Sequence, residues 1–119
     1  QTAQLTQVDK AITAFRSALA ASPRAKDVVV MAYSEFGRRV RANASQGTDH
    51  GTAGLVFLVG DTVRAGFHGD QPSLTDLDNG DLKTTVDFRA VYAEVLDKVL
   101  GADPTRVLDQ TPAPLGLIA

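Results

Sequence analysis

The chain has 119 residues, 44% of them apolar and 22% charged, with 12 basic and 14 acidic side chains and a net charge of −2. That balance offers no basic surface to nucleic acid or an anionic membrane, and no apolar run reaches the roughly 20 residues of a membrane span. The absence of cysteine excludes disulfides, thiolate metal sites and cysteine nucleophiles.

Leu5, Val8, Ile12, Phe15 and Leu19 recur at steps of three and four, which predicts a helix with one apolar face. Ser22-Pro23 ends it, because proline has no N–H to continue the ladder. Val28–Tyr33 is short, continuous and rich in β-branched residues, which predicts a strand covered on both faces. No period is visible from Ser34 to Gly54, and compact domains tolerate so long a loop chiefly when it is functional. Leu55–Val59 predicts a second apolar strand, turned by Gly60-Asp61 into Thr62–Phe67 as a hairpin. Gly69–Asp81, broken by Pro72, Asn79 and Gly80, reads as loop. Thr84 and Asp87 then stand at capping-box-like spacing before a second amphipathic helix. In it Phe88, Val91, Tyr92, Val95, Leu96 and Leu100 face inward, and Gly101 follows its last turn. The tail, Thr111–Ala119, carries two prolines and an apolar finish, which predicts an extended segment laid over a neighbour.

Two or three apolar strands make a small sheet that needs pairing and cover on both sides. The expectation is therefore an α/β fold that is the C-terminal portion of a larger sheet, or a homo-oligomer that completes its sheet with another copy. A start at Gln1 without methionine fits processing or excision from something longer.

Polar chemistry concentrates between Val28 and His50. The apolar run breaks into Ser34-Glu35-Phe36-Gly37-Arg38-Arg39 and then reaches Gly47-Thr48-Asp49-His50-Gly51. Open α/β sheets hold their ligands beyond the carboxyl ends of such strands. Carboxylates and neutral imidazole suit zinc, manganese, magnesium or calcium, the carboxylates favouring the harder ions. Glu35, Asp49 and His50 are thus candidate metal ligands, and Arg38 and Arg39 candidate contacts for a phosphate or sulfate. Simpler readings stand beside these. Glu35 can pair with Arg38 or Arg39, Asp49 can cap a turn, and Asn43 and Ser45 are ordinary turn residues. His68 reads as structural. Gly47, Gly51 and Gly54 serve backbone geometry through positive φ or close approach. Asp76, Asp78 and Asp81 lack the spacing of a calcium loop and read as a solvated segment.

The run SEFGRRVRANASQGTDHGTAGLVFLVG and the later segment TVDFRAVY (Thr85–Tyr92) resemble the C-terminal part of the domain-of-unknown-function 1501 family. These are bacterial sulfatase-like proteins of the wider alkaline phosphatase and sulfatase superfamily. The resemblance implies an α/β fold that is the C-terminal portion of an alkaline-phosphatase-like three-layer α/β/α sandwich, in a periplasmic or secreted protein. It implies metal-dependent hydrolysis of a small sulfate or phosphate ester when the protein is full length. Glu35 stands where the superfamily carries a ligand acid. Phe36 stands where it carries a second ligand, and Ala42 where many relatives have an acid. His50-Gly51, beside Asp49, resembles a later ligand pair. The nucleophile and other ligands would come from N-terminal segments, so the chain alone is expected to be non-catalytic. Phe36 favours the alternative, a binding or structural module that keeps the fold without a complete metal centre.

Overall fold

A computed structural model of the protein describes residues 2–119, and at its centre is a carboxylate ringed by a small apolar cluster. The elements in chain order are α1 (Thr2–Leu19), β1 (Val30–Ala32), β2 (Gly37–Ala42), β3 (Thr48–Gly51), β4 (Phe57–Val59), β5 (Leu77–Asp78), β6 (Asp81–Leu82) and α2 (Phe88–Glu94). The strands form three two-stranded antiparallel ladders, β1 with β4, β2 with β3 and β5 with β6. The mixture of helices with small sheets is α/β in the broad sense.

Asp87 itself caps helix α2, three residues beyond the start that a Thr84–Asp87 capping box would give. The Asp87 carboxylate accepts the Arg89 backbone N–H at 2.9 Å, satisfying a donor that has no partner within the helix. Its last turn widens into a π-type turn, Val95–Val99, in which the Leu100 N–H reaches the Val95 carbonyl at 3.1 Å. Ala90, Val91 and Glu94 are the buried residues of the helix. Phe88 and Leu100, expected inside, are exposed; the tail and the β1–β4 pair cover only the Val91 side of the helix.

The tail is the C-terminal segment. Glu94 is 5% exposed, and its carboxylate accepts the N–H groups of Leu115, Gly116 (2.8 Å) and Leu117 (2.7 Å). A buried charge is tolerated when donors surround it in this way. Leu117 and Ile118 then pack on Val91, with Met31, Leu58, Val95, Val99 and Leu115 around them. Ile118 bridges Val63 antiparallel, the Arg64 N–H donates to the Leu117 carbonyl (2.8 Å), and the Ala119 N–H donates to the Thr62 carbonyl (2.9 Å). The tail is extended over a neighbour, as expected. Its pairing also corrects the hairpin expected at Gly60-Asp61, since Thr62–Val63 runs beside the tail and not beside β4.

Two further expectations are corrected. The segment Ser34–Gly54 is a β-ribbon, β2 against β3, and not an aperiodic loop; its alternation is masked by a register shift between Arg38 and Ala42. The tip of Gly69–Asp81 is a tight hairpin around Asn79 (φ 49°) and Gly80 (φ 90°), the two left-handed positions an Asn-Gly turn supplies.

Most of the apolar stripe of α1 lies uncovered, with Leu5 at 64%, Val8 at 51% and Phe15 at 49% exposure, while Ile12 and Leu19 are half-buried. The helix is tied to the body by an ion pair of Arg16 with Asp61. The whole chain exposes 8722 Å² at 12.6 kDa, where a compact monomer of that mass exposes about 6,200 Å². Its radius of gyration, 16.3 Å, exceeds the roughly 13.5 Å of a compact domain of this length.

Glu94→Ala would strand one buried and two half-buried N–H groups and is expected to destabilise the chain by about 3 kcal/mol, read from urea unfolding; a change under about 0.5 kcal/mol, the range of ordinary surface substitutions, would contradict the clamp. Arg89 holds the Asp87 carboxyl below its ordinary value, first by side-chain and then by backbone hydrogen bonding. The stability this adds is present above the unfolded carboxyl value and disappears as pH falls through the lower folded one. Thermal unfolding of Asp87→Asn should therefore lie furthest below wild type near neutrality, and the two should converge in strong acid.

Candidate functional site

The β2–β3 ribbon carries every residue that sequence reasoning singled out between Gly37 and Gly51. Its register pairs Gly37 with Gly51 and Arg38 with His50. Gly37 is buried against the next segment: a Cβ there would lie 1.7 Å from the Ala53 carbonyl oxygen, well inside atomic contact. A Cβ on Gly51 would meet the Arg38 carbonyl carbon at 2.9 Å. Close approach of backbone is thus the reason for glycine at both ends of this pair. Gly47 has neither constraint; its Cβ would meet only Asn43 Oδ1 at 3.7 Å, and the left-handed residue of that turn is Gln46 (φ 57°).

Successive residues of a strand point to opposite faces, so Asp49 and His50 are separated by the ribbon. On the His50 face, the imidazole stacks on Phe36 with ring centroids 3.7 Å apart and 14° between planes. The Arg38 guanidinium lies 5.3 Å from the same Phe36 ring, and its Nη1 donates to the Thr48 carbonyl at 2.8 Å. Stacking fixes the plane of the imidazole and leaves its in-plane nitrogens free. Among the described residues neither nitrogen of His50 has a hydrogen-bond partner, whereas His68 Nε2 meets the Arg64 carbonyl at 3.1 Å, the structural role expected for it. Glu35 precedes Phe36 on an exposed stretch. The ion pair weighed for it with Arg38 or Arg39 is not formed, because Arg38 bonds the ribbon and Arg39 pairs with Asp81.

On the opposite face, Arg39, Arg41, Ala42, Asp49, Asn79 and Gly80 line a cleft of about 430 Å³. Arg39 Nε and Nη2 donate to the two Asp81 oxygens at 3.0 and 3.1 Å, so the fork expected to clamp an anion is already committed to a carboxylate. Those bonds, and then the Asp81 charge, hold the guanidinium above its ordinary value against a smaller desolvation effect, with Asp49 contributing least. Asp49 accepts Asn43 Nδ2 at 2.9 Å, while Asn43 Oδ1 accepts the N–H groups of Ser45 (3.0 Å) and Gly47 (3.1 Å). Asn43 is thus the turn residue expected, and it, not Asp49, accepts the N–H groups of the turn; Asp49 holds the Asn43 side chain. Asp76 pairs with Lys83 at 2.5 Å, so two of the three acids considered for calcium are partnered by cations.

The donors for a metal centre fit only in part. No three His, Asp or Glu side chains gather as a ligand set among the described residues. Within Asp49-His50 the two donors look away from each other. His50 alone has the unengaged ring nitrogens and fixed plane a ligand requires. Two contributors to the cleft carried no site signal in the sequence: Arg41, which β2 supplies, and the Asn79-Gly80 turn, which comes from a hairpin marked only by its Asn-Gly pair.

The family model described as a protein of unknown function (DUF1501) matches residues 1–113, and the chain belongs to that family. No curated protein and no solved structure matches it.

Gly37→Ala must displace the Ala53 backbone and is expected to destabilise the chain by about 2 kcal/mol or more, with loss of the ribbon signals of Arg38 and His50 in NMR spectra. Gly47→Ala should leave both unchanged. Equal tolerance of the two substitutions would refute the close approach.

Proposed function

We propose that this chain is the C-terminal part of an exported sulfatase-like or phosphatase-like protein of the alkaline-phosphatase architecture, non-catalytic on its own. The largely uncovered stripe of α1 and an exposed area roughly 2,500 Å² above that of a compact monomer favour a surface finished by further polypeptide. The unpaired outer edges of β1 and β4 favour the same reading.

The observation that carries the functional reading is the His50 imidazole, held flat on Phe36 with both nitrogens unengaged. In this proposal His50, with Glu35 from the neighbouring turn, contributes to a divalent-ion site whose remaining donors lie outside the chain. Bound there, the ion would polarise an ester oxygen and activate a hydroxyl nucleophile. Phe36 is then a positioning residue that keeps the imidazole plane fixed. Arg38, stacked beside it, keeps a positive charge near the arriving sulfate or phosphate ester. Asp49 belongs to the other face and acts on the ribbon turn.

Elemental analysis of the native-length protein tests the proposal. It is expected to contain stoichiometric zinc, manganese, magnesium or calcium, depleted in His50→Ala and Glu35→Ala, and to hydrolyse an aryl sulfate or aryl phosphate ester. A wild-type protein without ion or hydrolysis would overturn the enzyme reading and leave a non-catalytic module. The chain by itself should associate with a copy or with the preceding segment in light scattering. A stable monomer that gains no protection from the preceding segment would contradict the unfinished surface.

A further inference from the structure

We propose that the cleft on the Asp49 face of the ribbon is a small-oxyanion pocket with Arg41 as its primary contact. The site is separate from the His50 face and does not depend on the ester-hydrolase reading. It is built from two chain segments distant in sequence. β2 supplies Arg39 and Arg41 at alternate positions, and the β5–β6 hairpin supplies the Asn79-Gly80 turn that closes the other wall.

The two arginines divide the work. Arg39 is pinned through Nε and Nη2 by Asp81, which leaves Nη1 to the cleft. A Cβ built on Gly80 would meet that same Nη1 at 3.7 Å, an ordinary contact distance, so the turn borders the guanidinium, and glycine is needed there for its left-handed φ of 90°. Arg41 forms no ion pair among the described residues, and its guanidinium keeps all five donors for a ligand. A fixed Nη1 and an unpaired guanidinium on one cleft suit phosphate or sulfate, which accept from several directions at once. Asp49 sets the balance. Its carboxylate lines the same cleft and is held by Asn43, so it opposes a highly charged anion.

Arg41→Gln and Asp49→Asn should therefore change affinity in opposite directions, which a loss of folding cannot do. Inorganic phosphate and inorganic sulfate are titrated into the ¹⁵N-labelled chain at constant ionic strength, with chloride as the control. The amides of Asn79 and Gly80 are expected to shift with saturation. Arg41→Gln should weaken binding about tenfold, from loss of one charge-assisted contact. Asp49→Asn should tighten it roughly threefold, from removal of one like charge near the surface. Arg24→Gln, at an exposed arginine paired with Asp27, should leave it unchanged. Shifts that chloride reproduces, or that survive unaltered in Arg41→Gln, would overturn the pocket. So would an Asp49→Asn variant that binds no tighter than wild type.

Discussion

The pairing of Arg38 with His50 across the ribbon fixes what this chain can offer chemically. Because side chains alternate along β3, that register sends the imidazole to one face and the Asp49 carboxylate to the other. A slip of one residue would exchange them. The register is held by contacts that leave no room for adjustment, Gly37 against the Ala53 backbone and Gly51 against Arg38. Everything functional follows from that separation: an aromatic-backed imidazole with free nitrogens on one side, and an arginine cleft on the other.

The rest of the molecule positions the ribbon with little apolar burial. Among the described residues only Ala90, Val91, Leu117 and Ile118 form the buried apolar set, and the one buried charged group, Glu94, organises them by accepting three tail N–H groups. A carboxylate can do this where apolar packing is thin, because each charge-assisted bond is stronger than a neutral one. The ion pairs Arg39–Asp81 and Arg16–Asp61 serve a similar purpose between elements. They fix the hairpin to β2 and α1 to the turn after β4, at modest energy since each is partly solvated. A structure joined this way holds its geometry while leaving large apolar faces for polypeptide to cover.

Much of this was legible in the sequence where a local rule decides the outcome. The α1 periodicity, the proline stop, the Asp87 cap and the extended tail depend on neighbours within a few residues. The ribbon was hidden because its register shift breaks the two-residue alternation, and because Arg38, Arg39 and Arg41 are not strand-like in composition. The tail's pairing with Val63 spans more than fifty positions and left no local trace. At the site, the residue types of Glu35, Asp49 and His50 pointed to metal, but which face each occupies is a matter of register. Phe36, which cannot ligate, is the residue that meets His50. Arg41 carries no site signal of its own, because the facing wall of its cleft comes from a hairpin almost forty positions away.

The most direct measurement is a nuclear Overhauser experiment on the ring protons of Phe36 and His50. Strong cross-peaks between the two rings are expected, together with contacts from Asn43 Nδ2 to the Asp49 side chain and none from Phe36 to Asp49. Cross-peaks from the Phe36 ring to the Asp49 methylene, with the His50 ring near Gly80, would mean the opposite register and would contradict the pairing of Arg38 with His50.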